Sequence, residues 1–191
     1  MLKRQKIIAG VDEVGRGCLA GPVVSAAVIF KKKINLKNIK DSKKLSFKQR
    51  FEISKEIKKN CFFSIGIASV KEIEKLNILQ ASLLSMKRAV NNLSKRPDLV
   101  LIDGTFKPDI SFSCKTVIGG DEKIKCISAA SILAKVYRDN LMIKMSKKFK
   151  YYFWNKNFGY GTKEHLEGLK KYGFSTLHRK NFKPIHQMLL E

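Results

Sequence analysis

One short segment near the start of the chain constrains both its fold and its function more than any other. Residues 7–11 are apolar or small, and they lead directly into the adjacent carboxylates Asp12 and Glu13 and then into a glycine–arginine–glycine turn at residues 15–17. An apolar run with several β-branched members predicts a buried strand. Two interpretations of the acidic pair follow. It is either a divalent-cation site beside a polyanion or a solvated acidic turn at the end of a strand.

The positive charge of the chain favours the first interpretation. Lysine and arginine total 39 against 16 acidic residues, which gives a formal net charge of +23 spread along the whole length. Such a field favours nucleic acid or an anionic membrane surface as a partner, with a lysine-rich proteome as the alternative origin. The chain has no lipidation motif, and its longest mostly apolar run, residues 18–30, is too short to cross a bilayer. We expect a cytoplasmic protein that does not bind membranes.

Length and composition predict one folded domain. A chain of 191 residues, of which 44% are hydrophobic, can bury a full core, and no linker rich in Gly, Pro or Ser divides it. The four cysteines form no C-x-x-C pair, which indicates reduced thiols rather than a zinc site. We expect a single domain over residues 1–191.

Alternating strand and helix patterns in the middle of the chain predict an α/β fold with a partly parallel sheet. The predicted strands cover residues 7–11, 23–30, 61–68, 99–102 and 116–118. Three polar pairs have the spacing of helix starts: Ser46 with Gln49, Ser69 with Glu72, and Asn77 with Gln80.

Two further helices are predicted in the second half of the chain. Small and apolar residues at helical spacing predict a long helix over residues 127–149, with Ala130, Ala134 and Leu141 facing the core. Thr162 predicts the start of a last clear helix that ends near Gly173.

Four acidic residues share one predicted context, because each follows a predicted strand or a glycine-rich strand exit. They are Asp12, Glu13, Asp103 and Asp121. Sites in α/β sheets gather where strands end, and four carboxylates converging there would repel one another unless cations held them. Oxygen ligands favour Mg²⁺ or Mn²⁺, and two such ions would stabilise the attacking and leaving oxygens of a phosphodiester displacement. The spacing alone does not prove that the four converge.

Several sequence blocks, in order along nearly the whole chain, resemble the ribonuclease HII family. They are DEVGRG at residues 12–17, GPVV at 21–24, LIDG at 101–104, GD at 120–121, SAASILAKVYRD at 128–139, GYGTKEHL at 159–166 and HR at 178–179. Several independent blocks in the same order are far more specific than any one motif.

The resemblance implies a single ribonuclease H-like α/β catalytic domain, with a mixed β-sheet flanked by helices. Residues from about 155 to 191 would form its C-terminal helical extension. It implies a monomeric endoribonuclease that hydrolyses the RNA strand of RNA–DNA hybrids and cuts 5′ of ribonucleotides embedded in duplex DNA. The products would carry a 3′-hydroxyl and a 5′-phosphate, and the enzyme would serve ribonucleotide excision repair and DNA replication. Two Mn²⁺ or Mg²⁺ ions are expected with substrate bound. The implied catalytic and metal-binding residues are Asp12, Glu13, Asp103 and Asp121, with Asp12 between the two ions.

The resemblance also implies substrate contacts. Gly15, Arg16 and Gly17 would contact the ribose 2′-hydroxyl, the group that distinguishes RNA from DNA. By itself the same turn favours a simpler interpretation, in which Arg16 forms a surface ion pair. Tyr160 would stack on the sugar of the nucleotide after the ribonucleotide, and Lys43 would bind a phosphate, with a solvated lysine as the alternative.

Other residues in the family blocks are interpreted as structural or stay open. Asp139 is taken as structural, pairing with a neighbouring base, and Lys135 either contacts substrate or lies on the helix behind the site. His165 and His178 are taken as structural, because a metal-activated water needs no histidine base. Residues 187–191 begin like a sliding-clamp-binding peptide but lack its aromatic pair, so a short helical tail is predicted and clamp binding is not expected.

Two other functions stay open at this point. One is a nuclease with broader activity, closer to ribonuclease HIII, which carries lysine in place of Arg16 and an extra N-terminal domain. The other is a basic nucleic-acid-binding protein whose carboxylates are only structural. The intact acidic set and Arg16 favour ribonuclease HII over both.

Overall fold

A five-stranded mixed sheet organises the computed structural model, which describes residues 6–31 and 45–190. Its strands are β1 (Ile8–Val14), β2 (Val23–Phe30), β3 (Cys61–Ala68), β4 (Leu99–Asp103) and β5 (Cys114–Val117), in the order β3-β2-β1-β4-β5. The pairs β1–β2 and β2–β3 are antiparallel, whereas β1–β4 and β4–β5 are parallel. The predicted α/β fold with a partly parallel sheet is therefore confirmed.

Helices cover both faces of this sheet. They are α1 (Phe47–Asn60), α2 (Val70–Leu76), α3 (Ile78–Asn91), α4 (Gly120–Lys123), α5 (Lys125–Ser146), α6 (Trp154–Asn157), α7 (Lys163–Tyr172) and α8 (Ile185–Met188). Because side chains of a strand alternate between faces, Ala26 and Val28 of β2 pack with α1 and α5 in one apolar cluster. Ala27 and Ile29 pack with α3 in another, on the opposite face.

Helix α5 lies very close to β1. A Cβ atom added at Gly10 would lie 2.2 Å from the backbone carbon of Cys126, at the start of α5. Only a residue without a side chain permits this approach. The approach places the second turn of α5 beside the acidic end of β1.

The C-terminal part of the chain packs against the loop between β1 and β2. Its apolar cluster joins Leu19 and Ala20 of that loop to Trp154, Leu169 and Ile185. Main-chain hydrogen bonds reinforce the contact, since the Gly21 amide donates to the carbonyl of Leu177 and the Arg179 amide to that of Leu19. The loop that carries the glycine–arginine–glycine turn is therefore held from the C-terminal side.

Most predicted elements are present, and some of them have shifted boundaries. Strands β2 and β3 have the predicted bounds, and Ser46 and Ser69 each form a capping box with the residue three positions later. The predicted end of the first strand at residue 11 was wrong. Strand β1 continues to Val14 because Asp12 and Glu13 pair with Ala26 and Ser25 of β2.

Two other expectations were modified by the packing. Asp121 lies on the short helix α4 rather than directly at a strand exit. Leu141 is only half-buried, and its neighbour Met142 is the residue of that turn that fills the core. Thr162 does precede α7, as predicted. Of the tail predicted to be helical, residues 187–191, Gln187 and Met188 lie at the end of α8, which begins earlier, at Ile185.

Candidate active site

The four acidic residues identified in the sequence border one cavity of about 380 Å³. The sheet brings three of them together, because β1 and β4 are parallel neighbours with Val11 opposite Ile102, so that Asp12 and Asp103 follow at adjacent strand positions. Asp121 enters from α4, which follows β5, and β5 pairs with β4 at Asp103. Carboxylates that are far apart in the sequence therefore face the same space.

This concentration of negative charge is poorly solvated. Asp12 is only 6% exposed. Burial, and then repulsion from Glu13 and Asp103, raise the pKa of Asp12 well above its usual value, although a hydrogen bond from Ser131 opposes the shift. Burial also raises the pKa of Glu13, against the opposing influence of Arg16. Buried carboxyl groups that repel one another tend to keep their protons. A cation bound between them would displace those protons and neutralise the same negative charge.

The donor set fits a hard divalent cation, although the carboxylates are not arranged around one. Among residues 6–31 and 45–190, no three acidic, histidine or cysteine side chains are grouped closely enough to hold an ion as they stand. Two carboxylates accept main-chain hydrogen bonds instead: Asp103 Oδ1 from the Gly120 amide at 2.6 Å, and Asp12 Oδ1 from the Glu13 amide at 2.7 Å. Carboxylate oxygens alone are a ligand set suited to Mg²⁺ or Mn²⁺.

The Gly15–Gly17 segment, called the GRG turn below, is attached to this acidic group. Arg16 Nη1 lies 3.2 Å from Glu13 Oε1, so the ion pair expected from the simpler interpretation is present. Gly15 has φ +95°, and a Cβ atom there would lie 2.2 Å from Nε of Arg138. Both facts require glycine at this position. Arg16 and Gly17 are exposed, so they are open to a ligand.

Tyr160 borders the same cavity, on the Gly159–Gly161 segment that we call the tyrosine loop. Its side chain is 38% exposed, and burial of the rest raises the pKa of its hydroxyl to about 12. The hydroxyl therefore stays protonated at neutral pH. The ammonium group of Lys135 lies 5.5 Å from the centre of the tyrosine ring, within cation–π range.

Lys135 and Asp139 form an ion pair beside the cavity. Lys135 Nζ lies 2.9 Å from Asp139 Oδ1, so the pairing expected for Asp139 is observed. Lys135 borders the cavity, whereas Asp139 is completely buried. Burial raises the pKa of Asp139, and the charge of Lys135 is the main opposing influence.

Two polar residues of the cavity wall were not predicted from the sequence: Arg50 on α1 and Ser131 on α5. Arg50 carried no local signal, because its helix was predicted only from a capping box and the docking of α1 is a tertiary feature. Ser131 belonged to a family block but was not singled out. Lys43, the predicted phosphate ligand, lies outside the described residues.

The two histidines of the family blocks do not border the cavity. His165 and His178 are buried, with their Nε2 atoms 2.9 Å apart. The cysteines are free thiols, and three of them are buried: Cys18, Cys61 and Cys126. In the described part of the chain, no helix has the length and apolar character needed to cross a membrane.

Comparisons with known proteins identify the family of this chain. The family model described as ribonuclease HII matches residues 9–185. The ribonuclease HII of Pelagibacter ubique is 56% identical over 185 residues, which cover 96% of this chain and 100% of that protein. The crystal structure of ribonuclease H2 from Pyrococcus horikoshii superposes with a TM-score of 0.79 at 25% identity, covering 95% of this chain and 96% of that one.

A second solved structure bears on partners. The ribonuclease HII of Archaeoglobus fulgidus, solved in a complex with PCNA, matches with a TM-score of 0.73 at 26% identity over 93% of this chain and 95% of that one. The family match and the relatives span nearly the whole sequence. The chain therefore belongs to the ribonuclease HII family of metal-dependent endonucleases.

Proposed function

We propose that this protein hydrolyses the RNA strand of RNA–DNA hybrids and cuts on the 5′ side of ribonucleotides embedded in duplex DNA. The observation that carries the proposal is the cavity shared by the four carboxylates and Tyr160, with the GRG turn paired to it through Glu13. Membership of the ribonuclease HII family supports the same activity.

In this proposal Asp12, Glu13, Asp103 and Asp121 would hold two divalent ions, Mg²⁺ or Mn²⁺. When bound, such ions activate water as a nucleophile and stabilise the charge that develops on the departing 3′-oxygen. The raised pKa values of Asp12 and Glu13 support this assignment, because both carboxyl groups lack enough opposing charge in the free protein. The products would be a 3′-hydroxyl and a 5′-phosphate.

Selection of RNA falls to the two exposed segments beside the carboxylates. A ribose 2′-hydroxyl can donate to a main-chain carbonyl or accept from an amide of Gly15, Arg16 or Gly17. Tyr160 would stack on the deoxyribose that follows the ribonucleotide, and Lys43 would contact a phosphate. The net charge of +23 supports binding to the nucleic acid backbone.

We further propose that the protein acts in the cytoplasm as a monomer. The Archaeoglobus relative was solved with PCNA, but the tail of this chain, residues 187–191, lacks an aromatic pair. We therefore propose that this chain does not bind a sliding clamp through residues 187–191.

Asp103→Asn is the sharpest test of the metal site. The amide oxygen of asparagine keeps an acceptor for the Gly120 amide, so the fold is expected to survive while a charged ligand is lost. We expect cleavage of duplex DNA carrying one ribonucleotide to be abolished, whereas hybrid binding at low salt persists and weakens as salt rises. All-DNA duplex is the control substrate.

Two outcomes would contradict the proposal. Near-wild-type cleavage by Asp103→Asn at saturating Mn²⁺ or Mg²⁺ would overturn the ligand assignment and favour carboxylates that are only structural. A 2′,3′-cyclic phosphate among the wild-type products would show that the 2′-hydroxyl is the nucleophile, which excludes attack by water.

A further inference from the structure

Two consecutive residues that the proposed chemistry does not use connect the two segments assigned to the substrate. His178 is 1% exposed and Arg179 is fully buried, although both carry polar side chains. Burying polar groups costs free energy unless each is hydrogen-bonded. The partners of these two side chains therefore indicate what the dipeptide does.

Arg179 donates hydrogen bonds to the GRG turn and to the loop that carries it. Its Nη2 donates to the Gly15 carbonyl at 2.6 Å, and its Nη1 donates to the Arg16 carbonyl at 2.8 Å. Its Nε and Nη2 both donate to the carbonyl of Gly21, at 3.0 and 2.9 Å. These acceptors all belong to the loop between β1 and β2, and the planar guanidinium fixes their relative positions. A carbonyl oxygen has two lone pairs, so the turn keeps acceptor capacity for a ligand.

His178 connects to the tyrosine loop through a second imidazole. The Ser175 amide donates to His178 Nδ1 at 2.9 Å, so a neutral His178 carries its proton on Nε2. That proton is donated to His165 Nε2 at 2.9 Å, which also accepts from Trp154 Nε1 at 3.1 Å. His165 therefore carries its proton on Nδ1, which lies 2.8 Å from the Tyr160 carbonyl oxygen. Each ring nitrogen of His178 and His165 is therefore assigned as a donor or as an acceptor, and the lone pair of His165 Nε2 is shared by the His178 and Trp154 donors.

The main chain around the dipeptide joins the same two segments. His178 forms a bridge with Ala20, and the Leu19 amide donates to the Gly159 carbonyl at 2.8 Å. The GRG turn and the tyrosine loop are therefore both anchored to the same short stretch of the C-terminal segment.

We propose that His178 and Arg179 are positioning residues that together set the distance between the GRG turn and Tyr160, and thereby the preference for a ribonucleotide followed by a deoxyribonucleotide. This rests on the proposed function, in which the turn contacts the 2′-hydroxyl and Tyr160 stacks on the next sugar. A substrate with a single ribonucleotide must satisfy both contacts at one place. A long hybrid offers many sites, so it depends less on their spacing.

A double-mutant cycle between His178 and Tyr160 tests the first connection. The variants are Tyr160→Ala, His178→Phe and the double variant. His178→Phe keeps an aromatic ring at residue 178 but removes the hydrogen-bond donor and acceptor of the imidazole. Loss of stacking by Tyr160→Ala should cost about ten- to hundredfold in kcat/KM on the single-ribonucleotide duplex. His178→Phe should cost no more than this, with a smaller loss on the long hybrid. In the Tyr160→Ala background His178→Phe should change the rate by less than about twofold, because the aromatic ring whose position His178 sets is gone, although the main-chain carbonyl at residue 160 remains.

A conservative variant guards against a folding defect. His178→Gln retains an amide donor toward His165 and should recover most of the lost activity. Circular dichroism and the emission of Trp154, the one tryptophan of the chain, check the fold. If His178→Phe does not fold, the cycle is run with His178→Gln, whose smaller loss must likewise vanish in the Tyr160→Ala background.

Arg179→Lys tests the second connection, because it keeps the charge but loses the planar set of donors. It should reduce cleavage of the single-ribonucleotide duplex more than cleavage of the long hybrid. Lys180→Met, which removes one exposed charge from the same segment, should not change the ratio between the two substrates. The inference would be overturned if these variants lost the same fraction of kcat/KM on both substrates. It would also be overturned if the losses caused by His178→Phe and Tyr160→Ala simply multiplied in the double variant. Failure of the wild-type protein to cut the single-ribonucleotide duplex would overturn the proposed function instead.

Discussion

Acidification should destabilise this protein through His178, and the size of the effect follows from the burial of its side chain. Burial, and then the neighbouring His165, lower the pKa of His178 from 6.5 to about 3. Above pH 6.5 the imidazole is neutral in both the folded and the unfolded chain, so it has no effect on the pH dependence. Below pH 6.5 the unfolded chain takes up a proton that the folded protein excludes, and stability falls.

The expected loss can be calculated from that difference. Each pH unit between the two pKa values costs about 1.4 kcal/mol, so lowering the pH from about 7.5 to about 4.5 should remove about 2–3 kcal/mol. That is a large share of a typical unfolding free energy of about 5–15 kcal/mol. The raised pKa of Asp12 acts with the opposite sign, because its protonation at low pH relieves repulsion in the folded protein.

Comparison with His178→Gln isolates the histidine. Urea unfolding of both proteins, followed by Trp154 emission at several pH values, gives the difference between their unfolding free energies. Contributions from Asp12 and other shared groups cancel in that difference to first order. Between pH 7.5 and 4.5 we expect the wild-type protein to lose about 2–3 kcal/mol more of its unfolding free energy than His178→Gln loses. A difference that stays constant would mean that folded His178 accepts a proton, which would refute the assignment of the histidine network as neutral.

Three further predictions concern packing and burial. Gly10→Ala should lower the unfolding free energy by about 1–3 kcal/mol, because its Cβ would lie 2.2 Å from Cys126, whereas Gly17→Ala, with no heavy atom within 4 Å, should leave the melting temperature nearly unchanged. Asn157→Ala should cost about 1–3 kcal/mol, because it removes hydrogen bonds to the Tyr152 carbonyl and the Gly159 amide; exposed Asn155→Ala is the matched control in thermal melts. Mass spectrometry after brief alkylation of the native protein should find Cys114 labelled first, because Cys61 and Cys126 are buried and Cys114 is only partly so. Burial raises the pKa of the Cys61 thiol to about 12 and that of the Cys126 thiol to about 11, which keeps both thiols protonated and unreactive. Labelling of either thiol before Cys114 would contradict this prediction.

Local sequence patterns predicted the elements well because their causes are local. The bounds of β2 and β3 follow from apolar runs, and the starts of α1 and α2 follow from serine caps whose partners lie three residues away. The end of β1 was predicted too early because charge at Asp12 and Glu13 suggests a turn. Pairing with β2 overrides that signal, since the backbone of both residues completes the ladder with Ala26 and Ser25.

The convergence of the carboxylates was a hypothesis that spacing alone could not establish. It depends on β1 and β4 being parallel neighbours, and that pairing joins residues about ninety positions apart. The predicted strand ends and the family resemblance both indicated the same four positions, and the sheet explains why they face one cavity. Arg50 is a residue of the cavity wall that the sequence does not reveal, because its position there depends on how α1 packs and not on any motif.

The histidine–arginine dipeptide shows how a structural interpretation and a functional one can both hold. His178 was taken as structural because the chemistry needs no histidine base, and its burial agrees with that interpretation. Yet the hydrogen bonds of this dipeptide end on the two segments that would select the substrate, and nothing in the spacing of residues 15, 160 and 178 predicts that connection. An enzyme that recognises a single ribonucleotide must hold two contacts one nucleotide apart, and buried, fully bonded side chains are the rigid means of doing so. In this fold the buried polar groups behind the cavity are therefore as relevant to selectivity as the exposed residues that would touch the nucleic acid.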